Sequence, residues 1–104
     1  MNKNKFNTKN RLLIEFKKDS DEEIERLCIE SIAEHAGISI TNVTKENKLK
    51  KDLGYDSLDI VELILDIEGI YDLQMNEKSL STKDLTVSEL IEVVKELIIK
   101  KEKY

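Results

Sequence analysis

The stretch Asp52–Asp72, DLGYDSLDIVELILDIEGIYD, decides how the chain is read. Gly54 permits a tight turn that other residues would strain. Asp56 then falls at the N-cap of a helix, with Asp59 at the N3 place of a capping box. Tyr55 and Ile60 take the N′ and N4 positions of a hydrophobic staple. This puts Ser57 at the first helical position, with its hydroxyl free to point outward. A phosphate attached there meets free backbone N–H groups and the positive end of the helix dipole, so the position suits a phosphodiester. The bland reading of the same serine is a helix cap and nothing more.

Two faces of that helix follow from the spacing. Leu63, Ile67 and either Ile70 or Tyr71 recur so as to face a core. Leu58, Val61 and Leu65 form a second stripe, surrounded by Asp59, Glu62, Asp66 and Glu68. A helix apolar on two sides and acidic between them has more apolar surface than one small core needs. The surplus fits a transient docking surface rimmed by charge. It equally fits complete burial with solvated acids, and pattern alone does not separate the two.

Outward from this stretch the chain reads as helices. Ser20-Asp21-Glu22-Glu23 has capping-box spacing, and Ile24, Leu27, Cys28, Ile32 and Ala36 recur at helical period before the stop at Gly37. The first helix is predicted over Asp21–Ala36. Residues 38–55 form a long connection with anchors at Ile38, Ile40, Val43, Leu49 and Leu53. Connections longer than ~12–15 residues tend to be functional, and an overhand loop of this length lets the flanking helices lie roughly parallel. Residues 73–85 allow one short helix near Glu77–Lys83. Thr86-Val87-Ser88-Glu89 repeats the capping box, with Leu85 and Leu90 as staple. Leu90, Ile91, Val94, Leu97 and Ile98 then give the last helix its apolar face, fading near Lys100. No internal repeat or linker interrupts this order.

Composition agrees with an all-α fold. The 104 residues contain no Pro, no Trp and only three Gly, a balance that favours helices in one small domain. The net charge of −5 hides an asymmetry: residues 1–18 sum to +5, residues 19–94 to −12 and residues 95–104 to +2. The acidic body argues against nucleic acid and suits basic protein partners. No apolar run approaches the ~20 residues that span a bilayer, and no secretory signal is expected. Cys28, the only cysteine, has the spacing of a buried core thiol. With His35 it leaves almost no raw material for zinc, and His35 is read as serving a helix end or solvent. No constellation for catalysis is evident. Residues 1–10 are expected to be disordered, and Leu12, Leu13, Ile14 and Phe16 to be a sticky patch on a solvated tail.

Asp52-Leu53-Gly54, Asp56-Ser57-Leu58-Asp59 and Val61-Glu62-Leu63 together resemble the acyl carrier protein signature. The resemblance covers most of residues 20–99: capped helix one, long loop, DSL serine, acidic helix two, short helix three, capped helix four. It implies a small four-helix bundle of three longer helices and one short one over residues 19–101, behind a flexible basic extension, 1–18. It further implies that Ser57 accepts 4′-phosphopantetheine from coenzyme A through a separate holo-synthase, and that the chain is a carrier, not an enzyme. The thiol of that group then holds acyl intermediates for fatty-acid-synthesis enzymes. Recognition falls to Asp56, Leu58, Asp59, Val61, Glu62, Leu65 and Glu68, and lining of a sheltered acyl chain to Leu63 and Ile67. A cytoplasmic monomer without metal or stable membrane insertion is expected.

Three features depart from the family pattern. Gly69 stands where a helix former, often Glu, is usual, and it is expected to weaken helix two or end it early. Leu73-Gln74-Met75-Asn76 replaces a more acidic segment that typically contains proline. The basic head is longer than most. The alternatives are a dedicated polyketide, aminoacyl or lipid-modification carrier, an unmodified helical adaptor using the same acidic helix, and a membrane-surface protein anchored by the head.

Overall fold

The computed structural model describes residues 21–103. Ser20 as a cap, the disorder of residues 1–10, the Leu12–Phe16 patch and the 1–18 extension lie outside them. Among the described residues there are four α-helices: α1 (residues 21–36), α2 (Ser57–Tyr71), α3 (Glu77–Ser81) and α4 (Val87–Lys103). Among the described residues there is no strand, only an isolated antiparallel bridge between Lys48 and Thr86. The fold is therefore the small all-α bundle expected, three helices long and one short.

In α1 the apolar residues at helical spacing, Ile24, Cys28 and Ile32, are buried, and Ala33 joins them. Gly37 stops the helix with φ 72°, and the Ile38 N–H returns to the Ala33 carbonyl at 3.0 Å. Burial pushes the Cys28 thiol up to about 12. Glu25 binds the ammonium groups of Lys45 and Lys95, each at 2.9 Å. Those hydrogen bonds hold its carboxyl below the usual range and tie the connection and α4 to α1.

The long connection is fastened rather than loose. The Leu49 N–H donates to the Leu85 carbonyl at 2.9 Å, the Val87 N–H to Asn47 at 2.9 Å and the Ser88 N–H to Lys45 at 3.0 Å. The last two use orphan donors at the start of α4. Val43 and Leu49 insert into the core, and a 3₁₀ turn spans Ile40–Asn42. The Asp84 carboxylate accepts from the N–H groups of Lys50 at 2.8 Å and Lys51 at 3.3 Å.

Helix directions differ from the sequence expectation. Tyr55, just before α2, reaches the Ile32 carbonyl late in α1 at 2.7 Å. Tyr71, at the far end of α2, lies close enough to Glu23 and Arg26 early in α1 for their charges to act on its hydroxyl. The two helices thus run antiparallel, not parallel. The connection docks on the start of α4 and delivers Tyr55 to the late turns of α1, so α2 sets out from the end at which α1 stops. Lys101, late in α4, touches the end of α2, so α2 and α4 run the same way.

Gly69 does not end α2, which continues to Tyr71. Asp72 closes it in the left-handed region with φ 56°, and the Leu73 N–H returns to the Glu68 carbonyl at 3.1 Å. Lys101 Nζ donates to the carbonyls of Tyr71 at 3.1 Å and Asp72 at 2.8 Å, supplying donors for orphan helix-end carbonyls. Helix α4 likewise continues beyond the expected end at Lys100, to Lys103. A Cβ on Gly69 meets only open space. Gly69→Ala is therefore expected to stabilise the protein by ~0.5–1 kcal/mol, read as a rise in Tm by thermal unfolding; a lower Tm contradicts this account.

Candidate functional site: the serine at the head of α2

Local chemistry sets the start of α2. Gly54 turns the chain with φ 77°, and the Tyr55 N–H donates to the Leu49 carbonyl at 2.9 Å. Asp56 is extended, and its carboxylate accepts from the Asp59 N–H at 2.8 Å. Asp59 returns the bond, accepting from the Asp56 N–H at 3.0 Å. The capping box is thus complete. Tyr55 and Ile60 are both buried as the staple requires. Burial holds the Tyr55 hydroxyl protonated well above the ordinary phenol range. Ser57 is the first residue of the helix, as the spacing predicts, and is exposed.

Its hydroxyl is not free, however. Ser57 Oγ donates to the Ser81 carbonyl at 3.0 Å and accepts from Lys50 Nζ at 3.3 Å. Ser81 closes the five-residue α3, so its carbonyl has no helical partner and takes the nearest donor. Lys50, Ser81 and Asp84 are site residues that sequence reasoning missed. The available signal was Lys48, Lys50 and Lys51, a basic knot inside an acidic body. Nothing in the spacing links it to residues 81 and 84.

The second stripe on α2 faces outward. Leu58 and Leu65 are 66% and 52% exposed, Val61 is half-buried, and Asp56 and Glu62 are exposed beside them. Complete burial of this stripe is excluded. Two acids are internally engaged: Asp66 lies 3.0 Å from His35 Nε2 of α1, and Glu68 accepts from the Met75 N–H at 2.6 Å. His35 thus pairs across helices instead of serving its own helix end. The negative charge of Glu68 also faces Glu77 and raises its pKa. Inward, Leu63 and Ile67 are fully buried, together with Ile60 and Ile64. Of the two candidates at the end of the inward face, Ile70 is exposed and Tyr71 is half-buried.

Among the described residues no helix is long and apolar enough to cross a membrane, and no three metal-ligating side chains converge. A family model described as a phosphopantetheine attachment site matches residues 29–94. The chain belongs to the acyl carrier protein family. It is 34% identical to an acyl carrier protein of Amoebophilus asiaticus over 79 residues, 76% of this chain and 98% of the relative. It is 36% identical to that of Thermotoga maritima over 75 residues, 72% and 91% of the two chains. Against that of Phytoplasma mali the identity is 37% over 67 residues, 64% and 79% of the two chains.

Family membership brings a covalently attached phosphopantetheine and the role of a carrier, not a catalyst. The residues at the head of α2 fit such a group. An exposed primary alcohol stands at a helix N-terminus with an ammonium 3.3 Å away, and both features favour a phosphodiester.

The capping box makes this arrangement sensitive to acid. The Asp59 N–H, chiefly, holds the Asp56 carboxyl below its usual range. A lowered folded-state pKa gives stability that is complete above the unfolded pKa and lost as pH falls through the folded one. Asp56→Ala is expected to lower the Tm at pH 7. The gap to the native chain should close as pH drops below about 4. A gap unchanged from pH 7 to pH 3 would contradict the assignment.

Proposed function

We propose that Ser57 is the residue that carries 4′-phosphopantetheine, and that this chain holds acyl intermediates for fatty-acid-synthesis enzymes as a cytoplasmic monomer. The observation that carries this reading is the exposed Ser57 hydroxyl at the first turn of α2, beside the Lys50 ammonium. In the loading step Ser57 Oγ forms a bond to phosphorus as a P–O bond of the coenzyme A pyrophosphate breaks. The adenosine 3′,5′-bisphosphate part leaves, and the hydroxyl proton passes to a base of the separate holo-synthase. The bound group supplies a thiol that holds acyl groups as thioesters.

The protein's own residues hold and present the serine. Asp56 and Asp59 fix the helix start, and Tyr55 anchors it to α1. Leu58, Val61 and Leu65 form the apolar part of a docking face, with Asp56, Asp59 and Glu62 as its charge. Glu68 adds charge at the edge, from a side chain already tied to Met75. Basic partner surfaces are steered to such a face, and the steering weakens with salt. An acyl chain sheltered between the helices meets Leu63 and Ile67, each of its methylenes gaining ~0.8 kcal/mol in a dry space. Because both side chains are already packed in the core, entry requires them to part.

A dedicated carrier for another pathway is the second reading. It is favoured by the Leu73–Asn76 segment, which departs from the family pattern and buries Leu73 and Met75 beside α3. The acyl group that co-purifies with the protein separates the two.

Intact mass after incubation with coenzyme A and a phosphopantetheinyl transferase is expected to show one phosphopantetheine, absent in Ser57→Ala. No gain with several transferases, or a gain that survives Ser57→Ala, removes the assignment. Glu62→Lys is expected to slow loading about tenfold at low salt, with the difference shrinking as salt rises. Unchanged loading rates place docking elsewhere.

A further inference from the structure

Lys50 is not part of the signature by which the serine is recognised, yet it is the one cation placed on the Ser57 oxygen among the described residues. Its position is built, not incidental. The Asp84 carboxylate holds the Lys50 N–H at 2.8 Å and the Lys51 N–H at 3.3 Å. The Asp52 carboxylate holds the Lys48 N–H at 2.7 Å, and the Gly54 N–H donates to the Lys50 carbonyl at 3.1 Å. The backbone from which the Lys50 side chain springs is therefore fixed on both sides. Among the described residues no carboxylate lies within ion-pair distance of its ammonium.

Esterification changes what the Ser57 oxygen can do. The oxygen loses its proton, so it can no longer donate to the Ser81 carbonyl. The same change sets a negative charge, shared by two phosphate oxygens, two bonds beyond an oxygen that Lys50 already touches. An ammonium on a four-carbon stem follows that charge easily, and a phosphate oxygen adds the attraction of an opposite charge that the neutral hydroxyl lacks.

We propose that Lys50 is a positioning residue for the phosphodiester. On loading, its ammonium moves from the serine oxygen to a phosphate oxygen, while α3 loses the Ser57 hydroxyl bond that joins it to α2. Lys50 thereby ties the root of the prosthetic group to the connection before α2, and α3 is released from the serine in the loaded form. This rests on Ser57 being the attachment residue.

The test compares the native full chain with Lys50→Met and Lys50→Arg, each unloaded and loaded, with loading verified by intact mass. Lys50→Met keeps much of the apolar stem, and Lys50→Arg keeps the charge. The change in Tm on loading is expected to be less favourable by about 2–4 °C in Lys50→Met than in the native chain, and to be restored in Lys50→Arg. The phosphorus NMR shift of the loaded native chain is expected to depend on salt, and that of Lys50→Met to be insensitive to it. Amide hydrogen exchange in residues 77–82 is expected to speed up on loading. Equal Tm changes and equal salt responses in all three loaded chains overturn the role of Lys50. Absence of any mass gain at Ser57 overturns the attachment reading itself, and the inference with it.

Discussion

The site depends on three backbone hydrogen bonds that fasten residues 45–49 to the start of α4: Leu49 to Leu85, Val87 to Asn47 and Ser88 to Lys45. Each meets a polar group that would otherwise be unsatisfied as Leu49, Leu85 and Val87 enter the core. With that seam closed, the next residues have little freedom. Gly54 turns, Tyr55 drives its ring inward to the Ile32 carbonyl, and Asp56 caps α2. The serine is held by a chain of constraints that begins thirty residues away in sequence, at the N-terminus of a different helix.

Helix α2 serves two environments at once. Ile60, Leu63, Ile64 and Ile67 fill the core, while Leu58 and Leu65 stay in water beside acidic neighbours. Fully burying one leucine is worth roughly 1.5–3 kcal/mol, so leaving two exposed forgoes stabilisation that a small domain could use. That cost is intelligible if other proteins cover the stripe intermittently. The acids beside it limit self-association: Asp56, Glu62 and Asp66 are exposed, and Asp59 and Glu68 are half-buried.

What could be read from the sequence was what chemistry decides within a few residues. The capping boxes at Asp56 and Thr86, the staple of Tyr55 on Ile60 and the stop at Gly37 rest on neighbours three to five positions apart, and all are present. The hydroxyl partners of Ser57 were not legible, because Lys50 and Ser81 reach it only after the connection and α3 have docked. The antiparallel course of α1 and α2 was missed for a similar reason: loop length says how far a chain can reach, not what it stops to bind. Gly69 misled in the other direction. Its low helix propensity is real, but closure of α2 by Lys101, from the end of α4, is a tertiary effect outside any local window.

The burial of Cys28 has a consequence for sulfur chemistry. It is the only cysteine of the chain, and the core holds its thiol protonated, with a pKa near 12. Thioester exchange needs a thiolate that can reach the carbonyl carbon. The polypeptide therefore offers no sulfur to which a bound acyl group could migrate. Thiol-directed reagents applied to the folded, loaded protein would accordingly distinguish the prosthetic sulfur from the protein's own without any substitution.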